Sequence, residues 1–241
     1  TDEFDTEKLM LQWQWNANYD DSWYETKTDV YGNASENGSY IKLNAVPATP
    51  LRPVGDYRNL LLQKWPAPEF TCETKMSLYG LMDGDYAGIV SLGMDYAALG
   101  VAKKDGKYVL RTVKGKQNFD CEAAYTDENV DEKVIDTAVF SDDTKTIYLK
   151  YTVKRTGVKQ TKEMALSVDN VPVEEAVLEI SFDGKNYQDA VSYTAKAGRW
   201  VGVKNGMFVN HNNEIKNENQ GDGFVTADYI RYRCIDNGRL D

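Results

Sequence analysis

Leu11-Gln12-Trp13-Gln14-Trp15-Asn16 near the start of the chain and Ala227-Asp228-Tyr229-Ile230-Arg231-Tyr232 near its end both pattern as strands. Apolar side chains that alternate with polar ones suit a strand with one wet face, so an all-β unit has its first and last strands specified. Between them helical periodicity is almost absent. Strand signals recur instead at roughly 22–28, 39–45, 59–65, 69–79, 86–94, 96–103, 107–114, 146–155, 161–168, 177–183 and 199–209. Phe70, Cys72, Thr74, Met76 and Leu78 should point inward, with Thr71, Glu73, Lys75 and Ser77 outward. Ile147, Leu149, Tyr151 and Val153 repeat the pattern. Many short strands of this kind predict a sandwich or a barrel.

Turn chemistry separates the strands. Asp105-Gly106 and Asp183-Gly184 suit two-residue hairpins, because glycine accepts the positive φ that such turns require. Asn37-Gly38, Asn205-Gly206 and Gly221-Asp222-Gly223 read as turns for the same reason. Two long connections stand out. One, 46–58, carries Pro47, Pro50 and Pro53; the other, 115–145, is acidic and reads as a solvated excursion with a short strand at 134–140. No 40–50-residue repeat is visible, so no propeller is concealed here, and residues 1–241 read as a single domain.

A formal charge of −10 disfavours nucleic acid and anionic membranes as partners, since polyphosphate binding needs a surplus of Lys and Arg. Neutral glycans stay compatible, and 16 Tyr favour ring-lined surfaces. No apolar run approaches the ~20 residues that cross a bilayer. The chain opens Thr-Asp-Glu without Met or a signal-like apolar stretch, as a processed or excised piece would. Cys72, Cys121 and Cys234 lack metal-site spacing; Cys72 and Cys234 read as small inward-facing hydrophobes. The single histidine, His211, lies in Asn210-His211-Asn212-Asn213 and reads as a solvated loop imidazole. The 38 acidic residues include none in a recognisable acid/base or nucleophile context.

Several segments carry a resemblance. They are the opening Asp2–Asn16, Asn59-Leu60-Leu61-Leu62-Gln63-Lys64, Phe70–Met76, Tyr86-Ala87-Gly88-Ile89-Val90 with Asp95-Tyr96-Ala97, Ser181–Tyr187, and the closing Ala227–Tyr232. In this order, over 2–233, they resemble the β-sandwich that follows the catalytic propeller in glycoside hydrolase family 43, the β-xylosidases and α-L-arabinofuranosidases. The resemblance implies a concanavalin A-like (jelly-roll) antiparallel β-sandwich. It also implies a non-catalytic accessory half of an enzyme acting on xylan- or arabinan-type polysaccharides, packed on the propeller and shaping its substrate entrance. The alternative is an autonomous carbohydrate-binding module for plant polysaccharides. Either job places the protein in a periplasm or outside the cell, where polymeric glycans lie.

The same resemblance implies site residues. A structural calcium would take Glu3, Gly38 and Asp228, tying the first strand to the last; otherwise Asp228 caps a turn or pairs with an arginine. Tyr57 and Arg58 are the side chains of the 46–58 connection suited to meet sugar or propeller, unless that stretch is an ordinary proline-stiffened loop. Trp13 and Trp15, two residues apart, form either a stacking platform or packing against the core or propeller. Trp23 and Tyr24 stay open, and Trp200 should be buried. A flat apolar patch would favour the accessory role, an aromatic strip on a concave sheet the binding module, and converging carboxylates in a pocket a glycosidase.

Overall fold

The computed structural model describes residues 1–28, 38–117, 130–141, 143–161, 169–196, 202–216 and 223–236. Its early strands are β1 (Gln14–Trp15), β2 (Tyr24–Thr28), β3 (Ser39–Asn44), β4 (Val46–Ala48) and β5 (Leu61–Lys64). The middle of the chain supplies β6 (Glu69–Ser77), β7 (Asp85–Leu92), β8 (Asp95–Lys104), β9 (Lys107–Lys116) and β10 (Glu132–Phe140). The last five are β11 (Thr146–Thr161), β12 (Asp169–Ser181), β13 (Gln188–Thr194), β14 (Lys204–Asn212) and β15 (Phe224–Asp236).

They form two sheets. One runs β1-β5-β14-β7-β8-β9-β10, with β4 added parallel to β14; the other runs β13-β12-β11-β6-β15-β3-β2. This is a concanavalin A-like sandwich. The strand expected at 134–140 is β10, inside the acidic excursion, whose residues 118–129 and 142 lie outside the described residues, as do Cys121, Trp200 and residues 162–168 of the strand expected over 161–168.

Alternation builds the core. In β6 every second residue is buried, and β11 lays Val153, Tyr151, Leu149 and Ile147 opposite Phe70, Cys72, Thr74 and Met76. Both rows therefore face the other sheet and pack on Ile89, Leu99, Met207 and Val209. β7 is buried along its whole length, and β8 nearly so. Their second face carries Tyr86, Val90, Tyr96 and Ala98, which pack with Phe208 and are covered by Val54 and Tyr57 of the proline-rich connection. That connection is a strap lying over the outer face of its own sheet.

Three expectations of local chemistry change. Asn205-Gly206 is no turn; it lies within β14, where a Cβ on Gly206 would come 1.8 Å from the Leu61 carbonyl oxygen. The glycine is there for close strand approach, and Asn205 turns inward to donate to the Tyr232 hydroxyl at 2.8 Å. Asp183-Gly184 heads a longer loop, because the Asp183 carboxylate accepts from the Lys185 and Asn186 amides and holds the chain open between β12 and β13. Cys234 is exposed instead of inward-facing, near the end of β15, where Arg233 and Ile235 are exposed too. Asp105-Gly106 behaves as expected, with φ of 51° and 73° in the turn joining β8 to β9.

Candidate functional site

The strap is held at its centre by side chains distant in sequence. Asn16, just after β1, donates its amide to the carbonyls of Gly55 (3.2 Å) and Tyr57 (3.0 Å). Glu132, on β10, accepts from the Val54 amide at 2.7 Å and from the Tyr96 hydroxyl. Burial raises the Glu132 carboxyl above the usual glutamate range, with the two hydrogen bonds opposing. Tyr57 is half-buried, edge-on to Phe208 at 5.9 Å, and burial raises its hydroxyl pKa. Arg58 and Leu51 stand in solvent on either side of this anchor. Neither Asn16 nor Glu132 has a sequence signal for its role, because each acts across 36 residues or more.

Arg58 leads to an aromatic cluster. Its guanidinium lies 6.0 Å from the Trp23 ring centroid; Trp15 meets Trp23 edge-on at 5.5 Å and Tyr24 at 5.7 Å. Tyr19, exposed, borders Tyr24 closely enough to affect its ionisation. Ahead of β1 the Trp13 amide donates to the Met10 carbonyl, closing a turn whose apex, Leu11, stands entirely in solvent with Met10 beside it. Polar residues would ordinarily occupy such an apex.

The two tryptophans expected to act together are separated. Trp13 is buried, stacked on Phe4 at 5.8 Å, and donates its indole N–H to Asp2 Oδ2 at 2.6 Å. With the Phe4 amide on the other oxygen, the buried Asp2 carboxylate is satisfied. Trp13 is thus part of the N-terminal anchor; of the pair, only Trp15 belongs to the aromatic cluster.

The N-terminal segment around Glu3 joins the second sheet beside Ser39, the residue after Gly38, and beside β15, which carries Asp228. The Ser39 hydroxyl donates to the Glu3 carbonyl at 2.8 Å, and Asp2 pairs with Ile230, two residues after Asp228. Gly38 takes a φ of 76°. As a calcium cage the set does not fit as it stands. The Asp228 carboxylate carries the Lys75 ammonium at 2.7 Å, and the Glu3 carboxylate is gripped by both arms of Arg231. Among the described residues, no three His, Cys, Asp or Glu side chains converge as a metal site.

His211 is not a free loop imidazole. At the end of β14, its Nδ1 lies 2.7 Å from Asp85 Oδ1 and its Nε2 2.8 Å from the Ile215 carbonyl. Asp85 is fully buried, which raises its carboxyl pKa, and also accepts from the Met82 amide. A cleft of about 660 Å³ between β9–β10 and β12–β13 contains Asp95, Asp131, Glu132 and Glu175. Asp131 is paired with Lys116 there, and Glu132 with the strap.

Residues 1–233 match the family described as the β-xylosidase C-terminal concanavalin A-like domain. The chain belongs to that family. Solved structures share this domain's fold: a GH43 glycoside hydrolase engineered for both endo-xylanase and exo-arabinofuranosidase activity aligns with 97% of the chain at 19% identity and a TM-score of 0.68. A bifunctional GH43-CE protein of Bacteroides eggerthii follows at 20%, 97% and 0.65, and a xylan β-1,4-xylosidase of Bacillus halodurans C-125 at 16%, 96% and 0.56. The β-xylosidase-type domain spans only 40%, 25% and 38% of those chains. No curated protein matches.

Proposed function

We propose that the domain is the accessory, non-catalytic half of a xylan- or arabinan-degrading GH43 enzyme, secreted to the periplasm or beyond, and that it packs on the catalytic half and shapes its substrate entrance. One observation carries this reading: the strap and the N-terminal segment are locked together through Asn16, with Leu11, Met10, Tyr19, Leu51 and Arg58 turned outward around them. Met, Tyr, Trp and Arg are the residues that protein interfaces gather, and exposed apolar groupings mark contact surfaces.

Exposed Val134, Ile135 and Val139 on β10 make a second apolar grouping. That edge, however, carries a bulge and the charges of Lys133 and Asp136, which are features that protect a free edge from pairing. The carboxylates of the cleft argue in the same direction as the strap. Glu132, the acid whose pKa is raised, spends one oxygen on Tyr96 and Val54, which leaves it poorly placed to protonate a glycosidic oxygen.

The test is Leu11→Asp with Arg58→Ala in the parent enzyme. Docking through this face predicts a lower melting temperature for the catalytic half and a raised KM, with the isolated sandwich still folded. Unchanged melting and kinetics in the parent would remove the reading. The alternative, an autonomous binding module, is favoured by the Trp15–Trp23–Tyr24 cluster, an aromatic grouping with the Arg58 guanidinium against Trp23.

A further inference from the structure

Asp228 owes its position to a bulge. β15 pairs Ala227 with Met76 and Ile230 with Thr74, so Asp228 and Tyr229 stand together opposite the single residue Lys75. On its other side β15 changes neighbour at the same point: Phe224–Ala227 pair with Asn44–Ile41 of β3, whereas Ile230 pairs with Asp2. Regular pairing therefore lapses at this junction. Asp228 is 2% exposed, and a carboxylate taken out of water needs a counter-charge.

Lys75 supplies it. The residue lies on the outward row of β6, its side chain is 16% exposed, and its ammonium sits 2.7 Å from Asp228 Oδ2. Two more of the junction's acceptors are also met by the protein itself. The Glu3 carbonyl takes the Ser39 hydroxyl, and the Glu3 carboxylate takes Arg231, which stacks on Tyr229 at 3.7 Å. Calcium needs six to eight oxygens at 2.3–2.6 Å, and an ammonium already in contact with the carboxylate both occupies its oxygen and repels a second cation.

We propose that Lys75 is the resident cation of this junction, a tethered ammonium standing in place of the calcium that the family resemblance implies at Glu3, Gly38 and Asp228. The sandwich then closes its termini without metal, through the Asp2–Ile230 pairing and the Glu3–Arg231 ion pair, with the Lys75–Asp228 contact beside them. Removing the ammonium leaves the buried Asp228 carboxylate without its lysine counter-charge, which opens the place to another cation.

Thermal melts of the chain in millimolar calcium and in EDTA test this. Wild type should melt at one temperature in both. Lys75→Ala should fall by roughly 5–15 °C and recover part of the loss in calcium, while Lys75→Ala with Asp228→Asn should show no recovery. A wild-type melting temperature that rises with calcium overturns the proposal. So does a Lys75→Ala protein that melts like wild type, or one that falls and is not helped by calcium, since Lys75 is then an ordinary ion pair. If Lys75→Ala does not fold, terbium luminescence of the wild type decides: no saturable signal upholds the tethered cation, and saturable binding abolished by Asp228→Asn overturns it.

Discussion

Single side chains do unexpected work at the start of this chain and in its acidic excursion. Trp13 is core because Asp2 is: the carboxylate at position 2 is buried and takes the indole N–H. Glu132 shows how burial turns a surface-type residue into a clamp with a pH dependence. Its carboxyl pKa is raised above the ordinary value of 4.5, so on titration the unfolded chain gives up this proton before the native one does. The stability this contributes is full below the ordinary value and is lost as pH rises through the raised one. Glu132→Gln keeps an acceptor for Tyr96 and Val54 but does not titrate. Denaturant melts at pH 4 and pH 7 should show the variant gaining on wild type at the higher pH. A gap of equal size at both would mean that Glu132 does not titrate in that window.

At the scale of elements, packing overrides local pattern where strands crowd. Asn-Gly predicts a turn anywhere in a sequence, yet in β14 it lies between β5 and β7, with Asn205 opposite Gln63 and Ser91. Gly206→Ala would drive a methyl into the Leu61 carbonyl, which neither strand can yield without losing ladder bonds. The cost should be about 3 kcal/mol or more, read as a lower denaturation midpoint; an unchanged midpoint would mean that β5 and β14 separate easily. The strap is the other such element. Its three prolines mark it as a stiff connection in sequence, but that it lies on its own sheet follows from the apolar second face of β7 and β8, which has to be covered.

For the whole molecule, the arrangement of apolar surface bears on what the domain meets. Exposed aromatics among the described residues are scattered, with Tyr19, Tyr79 and Phe182 on separate elements, and form no strip along a sheet. An accessory role therefore predicts no heat when the chain is titrated with millimolar xylo- or arabino-oligosaccharides. Micromolar to low-millimolar binding, weakened by Tyr24→Ala, would make the autonomous module the better account.

Sequence alone determined the class of fold, the places of most strands along the chain and the inward rows of β6 and β11, because a half-buried strand writes its burial into every second residue. It also carried the family likeness, through short segments in a fixed order. Only the tertiary structure decided the site. The bulge that sets Asp228 against Lys75 breaks the two-residue period without a local signal, and the His211–Asp85 pair joins positions 126 residues apart. The strap's clamps, Asn16 and Glu132, are placed the same way. Contacts of that kind are fixed by which strands become neighbours, and strand neighbours are chosen by the packing of the whole sandwich.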